Sequence, residues 1–144
     1  MKTLLDTCTL VYALERTDAL GTWARGIIAA CVAGEGAVTD TIALAEVGVG
    51  AEDPDTLAAD VASWGVQLVP LPTNSAPVAA RAFRAYLEAL REQGKRRGDM
   101  PLPDFLIGAH AEAAGYRIAT NDTARFRAYF PQVELVTPPD EATE

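Results

Sequence analysis

The sequence predicts an α/β domain built on a central, mostly parallel five-stranded sheet, and three observations carry that expectation. Short apolar segments rich in β-branched residues alternate with longer segments of helical period, the pattern of successive βαβ units. Glycines stand where several helical segments must stop: Gly34 and Gly36, Gly65, and Gly115. A chain of 144 residues with 49% apolar and 22% charged side chains can close one core and has no material for a second.

Taken in order, residues 3–6 read as a strand that ends on Asp6, and 11–15 and 20–33 follow with helical period. Beyond the glycines, 37–39 is the second strand. Residues 42–50 and 55–64 are helical, and in the first of these Ile42 and Val49 place Glu46 toward the core side. After Gly65 comes a strand at 66–71. Residues 76–93 form an amphipathic helix with Val78, Ala82, Phe83, Tyr86, Ala89 and Leu90 along one stripe. A loop punctuated by glycine and proline, 94–103, holds Lys95, Arg96 and Arg97, the densest positive charge in the chain. Its two prolines keep the chain extended until a helix at 105–114. A strand at 116–119, a turn through Asp122, a helix at 123–129 and a strand at 134–136 complete the domain. Its span is set at 1–137; the acidic, proline-led segment 138–144 is expected to fray.

Twenty acids against twelve bases give a formal charge of −8, which argues against a polyanionic partner when taken as a sum. Placement changes that conclusion. Three acids belong to the tail and four form the constellation described next, which leaves thirteen acids against twelve bases. The two cysteines, Cys8 and Cys31, exclude a disulfide scaffold and a four-thiolate zinc site and suit a reducing cytoplasm. Asp6 interrupts the apolar start and no cleavage-like site follows, so no export signal is expected. No apolar run reaches the roughly 18 residues of a membrane helix. His110 is the single histidine, which excludes a histidine acid/base pair and denies Cys8 an activating base; His110 is expected to be structural.

In a parallel sheet, ligands bind beyond the carboxyl ends of the strands. Asp6 follows the first strand, Asp122 follows the fourth, and Asp104 opens a helix behind Pro103. Glu46 lies on a helix with no lysine or arginine between Arg25 and Arg81 to neutralise it. Carboxylates that converge without a base repel one another, and a hard divalent cation such as Mg²⁺ or Mn²⁺ relieves that repulsion. Three of the acids also have a plainer role: Asp104 and Asp122 as helix N-caps, Asp6 as a turn residue.

The residues that carry these acids are similar to a known family. Leu4-Leu5-Asp6-Thr7, Leu44-Ala45-Glu46-Val47, Pro103-Asp104-Phe105-Leu106-Ile107-Gly108-Ala109-His110-Ala111 and Ala119-Thr120-Asn121-Asp122, with Arg125-Phe126 and Tyr129-Phe130-Pro131 beyond, resemble the PIN-domain ribonucleases and among them the VapC-type toxins of toxin–antitoxin pairs. The resemblance covers almost the whole chain. It implies a three-layer α/β/α sandwich, a divalent-metal site at Asp6, Glu46, Asp104 and Asp122, and supporting roles for Thr7, Thr120 and Asn121. Cys8 departs from the serine or asparagine frequent at its position. The activity implied is hydrolysis of RNA phosphodiesters by a water that Mg²⁺ or Mn²⁺ activates. The partners implied are RNA, a VapB-like antitoxin and a second copy of the chain, in the cytoplasm and away from membranes.

Lys95, Arg96, Arg97, Arg125 and Arg127 are candidate RNA-backbone contacts, or solvated and antitoxin-paired charges. Trp23, Trp64, Tyr86, Tyr129 and Phe130 can stack bases, although such spacing more often marks core. The first helices offer Tyr12, Leu14, Leu20, Trp23 and Ile27 as contact surface. Two other readings stay in view: a catalytically silent PIN-like binding module, and a receiver-like phospho-acceptor domain. The second requires a neighbouring acid beside Asp6 and a late lysine, and neither is present.

Overall fold

Aspartates start the helices of the N-terminal half. Asp6 ends β1 (Thr3–Leu5) and accepts from the Thr7 amide to cap α1 (Thr7–Glu15), and Asp18 caps α2 (Ala19–Ala33) through the Gly21 amide. Asp40, the last residue of β2 (Ala37–Asp40), caps α3 (Thr41–Gly50), and Asp53 caps α4 (Pro54–Ser63), whose proline occupies the favoured first turn. Then follow β3 (Gln67–Val69), α5 (Ser75–Glu92), α6 (Leu102–Ala114), β4 (Arg117–Ala119), α7 (Thr123–Tyr129) and β5 (Leu135–Val136). A 3-10 turn at Asp140–Thr143 rests against α2. The computed structural model describes residues 1–95 and 102–143.

The strands form one all-parallel sheet in the order β3-β2-β1-β4-β5, flanked by helices as the three-layer α/β/α sandwich requires. Leu4 pairs with Val38 on one side and Ile118 on the other, and all three are fully buried, so β1 is the axis of the core. The chain builds outward from β1 through β2 to β3, then returns through α5 and α6 to lay β4 against the opposite flank of β1. That reversal puts a topological switch point beside the carboxyl end of β1, where Asp6 stands.

Several boundaries differ from the sequence expectation for physical reasons. Helix α1 begins at Thr7 rather than 11 because Asp6 caps it directly. Helix α6 begins at Leu102, since Pro103 falls in a first turn whose amides lack helical partners anyway. On α3 the inward residues are Ala43 and Val47; Val49 is 89% exposed, and Glu46 is half-buried at the margin rather than turned into the core. Gly65 and Gly115 leave α4 and α6 at φ +93° and +73°, the left-handed conformation of a glycine exit.

The α5–α6–α7 side is filled by rings. Phe105 meets Phe83 edge-on at 5.0 Å and Tyr86 and Tyr129 each at 5.4 Å, so these aromatics are core rather than base-stacking surface. Phe130 lies so close to Gly108 that a Cβ there would sit 2.3 Å from two ring carbons. Gly108→Ala is therefore expected to cost about 1–3 kcal/mol by overpacking, despite alanine's better helix propensity. A lowered urea midpoint with an unchanged m-value would show it; an unchanged midpoint would contradict the packing argument.

Candidate active site

The carboxyl end of β1 delivers Asp6 into a buried position, 5% exposed, because the residue is at once the strand's end and the cap of α1. One carboxylate oxygen accepts from the Thr7 amide at 2.8 Å and the other from the Thr120 hydroxyl at 2.8 Å. Thr120 is within reach because Leu5 and Ala119 are register partners in neighbouring strands. The same hydroxyl accepts from the Asp122 amide at 2.9 Å, which shapes the turn after β4. Thr7 donates its own hydroxyl to Glu46 Oε1 at 3.0 Å, tying α1 to α3. Thr7 and Thr120 thus each hold one acid. Asn121 sits one step further out, donating to the Tyr12 hydroxyl at 3.3 Å.

Cys8 lies within this network. Its sulfur is 3.6 Å from both Asp6 Oδ2 and Thr120 Oγ1 and accepts from the Asn121 amide at 3.5 Å. Burial, with the Asp6 charge beside it, pushes the thiol pKa up, which opposes any role as a nucleophilic thiolate.

Asp104 and Asp122 do not act as the helix caps the sequence suggests. Helix α6 starts before Asp104, which leaves that carboxylate in the first turn. Asp122 precedes α7 with φ −101° and ψ 74°, and its side chain makes no capping bond. Both carboxylates go instead to Arg125: Nη1 to Asp104 Oδ2 at 2.6 Å and Nε to Asp122 Oδ2 at 3.1 Å. The expectation that the acids lack a basic partner is corrected here. Arg125 lies three residues after Asp122, so one turn of α7 brings its fork back to the strand-end edge.

The acids act on one another through Asp104. Burial raises the Asp6 carboxyl to about 6 against the hydrogen bonds from Thr120 and Thr7, and the charge of Asp104 adds to the rise. Burial also raises Glu46, with Asp104 and Asp40 pushing the same way. Asp104 is raised by burial, pulled back by Arg125 and pushed up again by Asp122. Four anions from α1's cap, α3, α6 and the turn after β4 therefore share one electrostatic field. Among the described residues no three metal-ligating side chains close on one point, and Arg125 spans two of the acids. The donor chemistry fits a hard divalent cation: oxygens alone, hydroxyl-oriented, with repulsion left to relieve.

Two residues that the constellation omits brace it. Asp40 is 0% and His110 2% exposed, and His110 Nδ1 lies 2.8 Å from Asp40 Oδ2 while Oδ1 caps α3. The pair joins the helix of Glu46 to the helix of Asp104. Asp40 carries the same sequence signal as Asp6, an aspartate directly after an apolar strand, and could have been found by it. Of the basic candidates, Lys95 and Arg127 are exposed, and Arg96 and Arg97 lie outside the described residues. Of the proposed contact surface, Leu20 is buried and Leu14 exposed.

Comparison with known proteins gives a concordant result. The family model for the PIN domain matches residues 3–130. Among solved structures, VapBC2 of Rickettsia felis bound to a DNA fragment from its promoter aligns with a TM-score of 0.70 at 20% identity, over 95% of this chain and 98% of that one. FitAcB of Neisseria gonorrhoeae aligns at 0.66 and 21%, over 94% and 97%. VapC20 of Mycobacterium tuberculosis, a toxin that cleaves the sarcin–ricin loop, aligns at 0.62 and 13%, over 88% and 95%. At such identities the likeness is one of fold. No curated protein sequence matches the chain.

Proposed function

The chain belongs to the PIN domain family, and from that premise we propose that it is the toxin of a VapBC-type toxin–antitoxin pair, a metal-dependent endoribonuclease that hydrolyses RNA phosphodiester bonds. What supports this reading is the placement of four acids about the switch point of a parallel sheet, with Asp6 held by Thr120, Glu46 held by Thr7, and Asp104 and Asp122 bridged by Arg125. Those four residues would hold Mg²⁺ or Mn²⁺. When bound, the ion supplies Lewis-acid activation of water and neutralises charge gathering on the phosphate.

The chain's own residues do the rest. Thr120 and Thr7 hold Asp6 and Glu46 with their oxygens directed, so ligand geometry is set before substrate arrives. Asn121 and Tyr12 fix the turn that carries Asp122. Lys95 and Arg127 are exposed and suited to phosphates flanking the cut; Arg96 and Arg97 are proposed for the same role from the sequence alone. A VapB-like antitoxin and a second copy of the chain are the proposed protein partners, in the cytoplasm. Among the described residues no helix is long and apolar enough to cross a membrane.

Incubation of the purified chain with total cellular RNA tests the reading. Cleavage is expected with Mg²⁺ or Mn²⁺, lost on adding EDTA and restored by excess Mn²⁺. Cleavage that continues undiminished in EDTA would show that the metal chemistry is wrong.

A further inference from the structure

Resting on the nuclease reading, we propose that Arg125 holds the place of the site's cation until the cation displaces it, and then serves as a ligand to the substrate phosphate. Its guanidinium bridges two site acids from different elements, Asp104 on α6 and Asp122 in the turn after β4. Arg125 occupies Oδ2 of both carboxylates, so a divalent ion that draws on those oxygens has to displace it. The geometry permits the exchange. Phe126, the next residue, is buried and fixes the backbone of α7, while the Arg125 side chain is 38% exposed and can turn outward from that anchor.

Arg125 neutralises Asp104 and Asp122 directly, and its charge also pulls the Glu46 carboxyl down. Once released, the planar fork stands beside the acids, where a phosphate oxygen must approach. An arginine suits that second task better than a lysine because it can grip two phosphate oxygens at once. The ion then brings its own phosphate contact with it.

The test is isothermal titration of the full chain with Mn²⁺, alongside anisotropy of a fluorescein-labelled single-stranded RNA in Ca²⁺. Arg125→Gln is expected to bind Mn²⁺ about fivefold tighter than wild type, the worth of displacing a part-exposed ion pair. It is expected to bind the RNA about tenfold more weakly, as loss of a two-pronged phosphate contact implies. Arg125→Lys keeps the charge but not the bridge and should tighten Mn²⁺ as well, which covers the case of a poorly folded Gln variant. Arg127→Gln removes an equal charge that does not touch the acids and should leave Mn²⁺ affinity unchanged.

If wild type binds Mn²⁺ and the Arg125 variants bind it no tighter, the exchange is refuted while the nuclease reading stands. Equal tightening in Arg127→Gln would reduce the effect to net charge and refute it too. Binding seen only in the Arg125 variants would uphold the exchange. If no variant binds Mn²⁺ and no RNA is cut, both readings fall together.

Discussion

Asp6→Asn is expected to abolish cleavage and, in the same step, to make the metal-free protein more stable at neutral pH. The loss of activity should be at least about 10²-fold, since the proposed site would lose one charged ligand and its remaining acids would hold an ion less well. The stability gain follows from burial. The Asp6 carboxyl rises from 3.8 to about 6 on folding, chiefly through desolvation. A group raised in the folded state favours folding fully below its unfolded value, and that contribution is lost as pH climbs through the folded one. Ionised Asp6 therefore weighs against the fold by about 3 kcal/mol at pH 7 in the absence of metal. Asparagine keeps the shape, still accepts from the Thr7 amide and never ionises. In EDTA the urea midpoint of the variant should exceed that of wild type at pH 7, and the two should converge below about pH 4. Parallel pH profiles for the two proteins would mean that Asp6 is not buried as an anion at a cost, and the case for a cation there would lose its main physical support.

His110→Ala should destabilise the protein by about 3–5 kcal/mol, because it strips a buried carboxylate of its partner. Asp40 cannot turn to solvent: it is fully buried, and its other oxygen is committed to the Ala43 amide. A loss of that size is a large share of the 5–15 kcal/mol by which domains are usually stable. His110→Asn, whose amide can donate near the position of Nδ1, should recover much of it. Chemical denaturation of the three proteins decides the matter. If alanine and asparagine are equally damaging, the cost comes from lost ring packing against Tyr116 rather than from the hydrogen bond to Asp40.

The parts of this architecture that follow from local chemistry were legible in the sequence. Five strands, their parallel sense and the position of Asp6 at a strand's end come from alternation of short apolar runs and helical segments, and the structure keeps all five. Capping was legible in kind but not in place. A cap needs an extended residue directly before the helix, which Asp6 and Asp40 provide; Asp122 departs from that conformation, and Pro103 lets α6 begin before Asp104. Long-range pairings were not legible. Nothing near Asp40 in the chain announces His110, 70 positions away, and nothing near Asp104 announces Arg125. Those contacts exist because the sheet order sets α3 beside α6 and brings α7 to the same edge. Val49 misled for a related reason: a short helix that is apolar on most sides does not reveal which side it will bury.

The clasp of Thr120 on Asp6 has a consequence for the cell that makes this protein. Any polypeptide released from the ribosome before Arg117 lacks the strand that completes the flank of β1, the hydroxyl that directs Asp6 and the last acid of the set. The proposed set of acids is therefore complete only once the final stretch of the chain has been made. A chain that stops anywhere upstream cannot assemble the site, however well its first half folds.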